Sequence, residues 1–362
     1  MGFKKKLAGS AVTAMLLCSA LAPSVFAAQG DIYAGTNGVL SIEKTLEVTG
    51  SGDMAPNETF TFKIEPFEKE IGQRVDGLEI RKGKELQGAD NIASKVFSNA
   101  DKATMQGGKK IIVDKTASFD FKNAGFPKEA AIYRYKVTEN AGANTGIVTY
   151  DTGAYQLDVY IDNNGEVTAL VAKKLNAQQD ATVGDKAPIK FENAYDTEDL
   201  TVEKTVSGTT GEQKRDFTFV LNVKESNCLV NGTVIAATKH KQDQKTETVN
   251  VTVGQDTEFT LKHNEKLVLS NLPKETDYTL TEREANQDGY TTTSTATVSV
   301  KKDDNGNFTV KDGINKVAFA NARDGVTPTG ILLNVAPYAA AFLLAAIAVV
   351  FFIARKKRKY QA

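Results

Sequence analysis

From Leu40 to Val48 the chain reads LSIEKTLEV. In an extended strand alternate side chains share a face. Leu40, Ile42, Leu46 and Val48 therefore point one way, and Lys44 points with them. The same alternation recurs at Phe60, Phe62 and Ile64, and again at Phe217, Phe219, Leu221 and Val223. Asn164-Gly165 and Asn305-Gly306 fall between such segments and read as tight hairpin turns. Long amphipathic helical patterns are scarce, so the pattern predicts an all-β body.

The body repeats itself. SIEKTLEVTG from Ser41 matches TVEKTVSGTT from Thr201, and ETFTFKIEP from Glu58 matches DFTFVLNVK from Asp216. IYRYKVTEN from Ile132 matches DYTLTEREA from Asp277, and IKFENAYD from Ile189 matches VAFANARD from Val317. The matches keep their order, which predicts two tandem immunoglobulin-like β-sandwiches at 28–196 and 197–324. The boundary falls in YDTEDL, Tyr195 to Leu200. A Lys-, Gly- and Asp-rich insertion at 72–116 in the first half reads as loops with a short helix.

Parity then places six polar residues on apolar faces. Lys204 lies on the face of Leu200, Val202 and Val206. Tyr133, Tyr135 and Val137 lead to Glu139, and Tyr278 and Leu280 lead to Glu282. Ile189 and Phe191 lead to Asn193, and Val317 and Phe319 lead to Asn321. A one-residue slip in register would reverse each assignment, but all six agree. A buried lone amine or carboxylate costs several kcal/mol unless paired or neutralised. Three arrangements fit. The strand ends are wet; or each half holds a buried Lys–Glu pair with an Asn beside it; or the amine and the carboxamide react. Desolvation lowers a lysine pKa and raises a glutamate pKa. In the third case a neutral Lys44 attacks the side-chain carbonyl carbon of Asn193. A protonated Glu139 polarises that carbonyl and shuttles the proton as ammonia leaves. Lys204, Glu282 and Asn321 repeat the reaction in the second half.

The ends have a different character. Met1–Ala27 carries Lys4, Lys5 and Lys6, an apolar run and SVFA, a secretory signal cut after Ala27. Residues 331–354 are long and apolar enough to span a bilayer, and RKKRK at 355–359 holds that end in the cytoplasm. Without the eight basic residues of these two ends, the formal charge falls from −1 to −9. An acidic exported body argues against nucleic acid. Cys18 leaves with the signal, so Cys228 stands alone in the mature chain. A disulfide framework is thereby excluded, and one Cys with two His argues against a metal site. Cys228 reads as a small buried hydrophobe, and His240 and His263, in Lys-rich surroundings, as surface residues. No nucleophile elbow, metal-ligand cluster or phosphate loop supports a turnover enzyme, and no cofactor is implied.

Before the span stands VTPTG, Val326–Gly330. This pentad, the span and the basic end resemble the cell-wall sorting signal of Gram-positive surface proteins (325–362), in a form departing from the commoner Leu-Pro-x-Thr-Gly. The resemblance implies cleavage between Thr329 and Gly330, with Thr329 held as a thioester on a sortase and passed to an amine. Nearly all of the chain resembles the two-domain FctA-like (T-antigen-type) backbone pilins of Gram-positive bacteria. IEKT and VEKT match the lysines, YKVTE and YTLTE the glutamates, FEN and FAN the asparagines. YTLTEREANQDGY resembles the pilin E-box without its usual proline. This resemblance implies CnaB-type domains with Lys–Asn isopeptide bonds and catalytic Glu139 and Glu282. It also implies a pilus-specific class C sortase, other copies joined head-to-tail, accessory pilins, peptidoglycan and a host surface as partners. Lys186, seven residues before Asn193 in DKAPIKFEN, matches the acceptor lysine of that family. By parity Lys186, Pro188 and Lys190 face outward, and Pro188 reads as an edge-strand residue. Lys173, Lys174 and Lys190 are the rival amines. A wall-anchored adhesin or accessory pilin is the alternative function.

Overall fold

The computed structural model describes residues 34–325, apart from 90–91, 94–95, 298–300 and 303–306. The signal at 1–27, Thr329, Gly330, the apolar span, the basic end and the Asn305-Gly306 turn lie outside the described residues.

The described chain is built from strands, with one short 3-10 helix at Phe121–Ala124. Asp120 caps that helix by accepting the Lys122 N–H at 2.9 Å, and Gly125 closes it at φ 63°. The opening strand, Val39–Thr49, buries Leu40, Ile42, Lys44, Leu46 and Val48 and turns the residues between them outward. A 19-residue strand, Ile189–Ser207, joins the two halves, and we call it the junction strand. In the first domain it lies parallel to the opening strand, with Phe191 opposite Lys44 and Asn193 opposite Leu46. In the second domain it lies parallel to the closing strand, Asn315–Ala322, with Lys204 opposite Phe319 and Val206 opposite Asn321. Each domain thus sets its first long strand beside its last. Parallel neighbours need a long connection between them, and here that connection is the rest of the domain.

Facing sheets close the two cores. In the first domain the facing sheet carries Thr61–Pro66, Ala131–Asn140, Ala154–Ile161 and Val167–Leu175. Its edge is Thr182–Lys186. Asn164-Gly165 makes the turn from Ala154–Ile161 to Val167–Leu175, with Gly165 at φ 83°. In the second domain the facing sheet carries Phe217–Val223, Thr257–Leu261, Asp277–Glu282 and Asn307–Thr309.

The boundary segment Tyr195–Leu200 lies inside the junction strand. Odd residues face inward as far as Thr197, and even residues do so from Leu200 onward. The register against Lys266–Pro273 shifts between Glu198 and Leu200. This bulge turns one strand's inward face from the first core to the second. The joint is tightly tied. Gly50 sits at φ 75°, and a Cβ there would come within 1.9 Å of the Thr197 carbonyl oxygen. Asn271 Oδ1 accepts the N–H groups of Asp53 and Met54. The cores also exchange residues: Met54 packs into the second, and Cys228 into the first. Cys228 is fully buried, and burial pushes its thiol up to about 12. It is inert filling rather than a nucleophile.

Two expectations are corrected. The insertion contains strands, and none of its described residues is helical: Arg74–Val75, Leu78–Lys82, Ile92–Ala93, Thr104–Gln106 and the start of Lys109–Asp120. Leu78–Lys82 joins the first facing sheet beside Ala131–Asn140, and Lys109–Asp120 pairs with the opening strand. Charge on the solvent faces of these strands gave the segment its loop-like composition. His263, like His240, is half-buried rather than on the open surface. Its Nδ1 accepts the Val206 N–H at 2.9 Å, beyond the last pairing of the junction strand with Lys266–Pro273.

Asn99 links the domains through four bonds. It donates to the carbonyls of Ala55 and Cys228 and accepts from Val230 N–H and Thr233 Oγ1. Asn99→Ala removes all four bonds, although the Cys228 carbonyl keeps the Asn57 N–H at 2.8 Å, and is expected to cost about 2–4 kcal/mol. Chemical denaturation checks this; a change below about 0.5 kcal/mol would mean water or neighbours replace the side chain.

Candidate functional site

The six inward polar residues assemble into two triads. Lys44, from the opening strand, donates to Glu139 Oε2 at 2.9 Å. Asn193, from the junction strand, donates through Nδ2 to Glu139 Oε1 at 2.6 Å. In the second domain Lys204 donates to both Glu282 oxygens, at 3.0 and 2.8 Å. Asn321 donates through Nδ2 to Glu282 Oε1 at 2.5 Å. All four charged side chains are 0% exposed. The wet-strand arrangement therefore does not hold, and each half contains a dry triad.

The repeat places these residues. Each lysine is on the first strand of its domain, each asparagine on the last and each glutamate on the sheet across the core. Aromatic walls complete the pockets. The Lys44 amine lies 4.7 Å from the Phe60 ring centre, and the Lys204 amine 4.2 Å from that of Phe217. Sequence reasoning missed these walls, although the matched TFTF and DFTF segments held the signal. The rings exclude water and offer only a weak cation–π contact.

Burial outweighs pairing for the amines. Desolvation brings Lys44 down to about 8 against the opposing pull of Glu139. It brings Lys204 down to about 8 against Glu282. Desolvation also raises the carboxyl of Glu139 above the usual range. Each site therefore has a nucleophile that is readily neutral, next to a carboxyl group that also touches the amide. In both triads the carboxyl meets the amide nitrogen, whereas the sequence argument had it polarise the carbonyl. In the first domain the Asn193 carbonyl oxygen instead accepts the backbone N–H of Asp151 at 2.7 Å. Asn321 Oδ1 is buried without a hydrogen-bond partner.

Lys186 ends the edge strand Thr182–Lys186, paired opposite Lys173, and is half-buried. Its edge position comes from this separate strand. Pro188 lies in the crossover between sheets, and the junction strand that follows is flanked on both sides in each domain. The rival Lys190 is held by Glu192 at 2.7 Å. Among the described residues no group of three or more His, Cys, Asp or Glu could hold a metal ion.

The chain has clear relatives. A family model described as a Spy0128-like isopeptide containing domain (FctA) matches residues 40–196, and a domain of unknown function, DUF7601, matches 198–323. A pilin of Streptococcus pyogenes serotype M1 is 32% identical over 330 residues, covering 88% of this chain and 90% of that protein. The crystal structure of the major pilin from Streptococcus pyogenes shares 29% identity and superposes with a TM-score of 0.63, covering 80% of this chain and 100% of that one. The major pilin T3.2 of the same species gives 29% and 0.62, covering 80% and 99%. The pilus tip adhesin Cpa of Streptococcus pyogenes is 29% identical over 186 residues, 48% of this chain and 24% of that protein. Two such sandwiches, matched along nearly their whole length by major pilins, define a pilus backbone subunit. The chain belongs to the FctA family of Spy0128-like pilins.

In Asn193→Ala/Asn321→Ala, where each amine has no amide partner, the buried amines give a pH signature. Their folded pKa, about 8, lies below the unfolded 10.5. Between these values the unfolded state binds more protons, so stability rises with pH. From pH 8 to about 9.5, before tyrosines ionise, the urea midpoint of this variant is expected to climb relative to Lys44→Met/Lys204→Met. Parallel curves for the two proteins would contradict the assignment.

Proposed function

We propose that this chain is a sortase-polymerised pilus backbone subunit whose domains are each locked by a self-formed isopeptide bond, Lys44–Asn193 and Lys204–Asn321. The observation that carries this reading is the repetition of a dry Lys–Glu–Asn triad at corresponding places in both domains. In each, the neutral lysine amine attacks the asparagine side-chain carbonyl carbon. The glutamate takes a proton from the attacking nitrogen and delivers one to the amide nitrogen it already touches. The new C–N bond forms, the old one breaks and ammonia departs. Glu139 and Glu282 are the catalytic groups of a single-turnover reaction on their own chain.

The geometry also suits head-to-tail linkage. The junction strand begins beside Lys186 and ends beside the last described residues. Its 19 residues extend about 60 Å at 3.2–3.4 Å per residue. Lys186 therefore sits near one pole, and Gly325, four residues before Thr329, near the other. A sortase cleaves Thr329–Gly330, holds Thr329 as a thioester and transfers it to Lys186 of the next copy. Such a heterologous contact propagates without closing, which makes a filament.

Co-expression with the pilus sortase tests the linkage. Lys186→Arg is expected to abolish the heat-stable ladder of high-mass bands while leaving the monomer folded and exported. A persisting ladder would place the acceptor on another lysine. A wild-type chain that never yields a ladder would favour the accessory or adhesin reading.

A further inference from the structure

The two triads differ at the atom where charge develops. As the amine attacks, the asparagine carbonyl oxygen becomes an oxyanion, and a fixed donor there lowers the barrier. In the first domain the backbone N–H of Asp151 already points at Asn193 Oδ1, at 2.7 Å. In the second domain the matching oxygen of Asn321 has no partner.

The topology explains the difference. In both domains a strand runs antiparallel to the asparagine strand on the side away from the lysine strand. In the second domain that strand, Thr291–Ala296, stays paired past Asn321 as far as Val317. Opposite Asn321, the Thr292 N–H is taken by Asn286 Oδ1 at 2.9 Å, and the strand runs on in register beyond it. In the first domain the corresponding strand, Val148–Thr149, stops after pairing with Ala194. The chain then peels away, and the Asp151 side chain takes over the pairing. Its Oδ2 accepts the Glu192 N–H at 2.9 Å, and its Oδ1 accepts the Gly153 N–H at 2.7 Å. These two bonds anchor the turn and free the Asp151 N–H for Asn193. The same N–H fixes the orientation of the amide, because a backbone donor cannot face the NH2 group. That orientation presents Nδ2, the leaving nitrogen, to Glu139.

Resting on the isopeptide reading above, we propose that the Asp151 backbone N–H is the oxyanion donor of the Lys44–Asn193 reaction, with the Asp151 carboxylate as its positioning group. The second triad works without such a donor. Glu282 alone must orient Asn321, so the Lys204–Asn321 reaction is the slower of the two.

The full mature chain provides the test, with each domain serving as the control for the other. The chain is taken unlinked into urea from inclusion bodies and refolded by dilution. Folding is followed by tyrosine fluorescence, and linkage by mass spectrometry of the two cross-linked tryptic peptides. In the wild type the Lys44–Asn193 peptide is expected first. Asp151→Ala should slow that linkage about tenfold or more per folded molecule and leave Lys204–Asn321 unchanged. Asp151→Asn, which can keep one of the two anchoring bonds, should fall between. An unchanged first linkage in folded Asp151→Ala overturns the proposal. If that variant fails to fold, the wild-type order decides, and a second linkage that is equal or faster overturns it. A wild type that forms neither peptide overturns the isopeptide reading itself, and this inference with it.

Discussion

A lysine amine held in a dry, aromatic-walled pocket is the constraint on which both domains turn. Left as ions, the Lys44–Glu139 and Lys204–Glu282 pairs are expensive, because burying two charges costs about as much as their attraction returns. The pockets nevertheless bury both partners completely and add an asparagine to each. The cost makes chemical sense if the charges are transient. An amine brought to about 8 is neutral often enough to attack, and in the first domain the raised Glu139 carboxyl can carry the proton. In the proposed reaction an amide replaces the pair, the penalty disappears and a covalent brace remains.

The proposed brace would matter because of where it lies. The junction strand is at once the last strand of one sandwich and the first of the next. With tension applied between Lys186 and Thr329, the load enters just before this strand and runs along it. In the first domain only this already extended strand lies on the path, so residues 34–185 carry no load through their backbone. In the second domain the path crosses from Lys204 to Asn321. The bond there bypasses a segment that would otherwise release about 400 Å of hidden chain at roughly 3.4 Å per residue. The proposed second bond would therefore be in series with the load. The proposed first bond would hold its domain shut against proteolysis and local opening.

Much of this was legible in the sequence because strand parity is a strong signal where one face is buried. Leu40, Ile42, Leu46 and Val48 declared the inward face, and Lys44 could be read from it. The internal repeat then supplied independent copies of the same assignment, and with them the all-β, two-domain architecture. What escaped was whatever depends on how separate segments meet. Phe60 and Phe217 looked like ordinary core residues, since nothing local says which ring lies over an amine. The inward face of the junction strand changes parity at Glu198–Asp199, and a bulge leaves no mark in composition. Lys109–Asp120 was hidden by polar residues such as Lys109, Thr116, Ser118 and Asp120 on its exposed positions, and the bond from Val206 to His263 by lysine-rich neighbours. Asp151 sits in a short irregular stretch whose importance lies in a backbone N–H, and backbone groups have no letter in the sequence.

The most direct measurement is the intact mass of the recombinant mature body, residues 28–329, made without sortase, beside its Glu139→Ala/Glu282→Ala variant. The account predicts a wild-type chain lighter than its sequence by two ammonia molecules and a variant at full mass. A folded wild-type chain at full mass would contradict it and leave both triads as buried ion pairs.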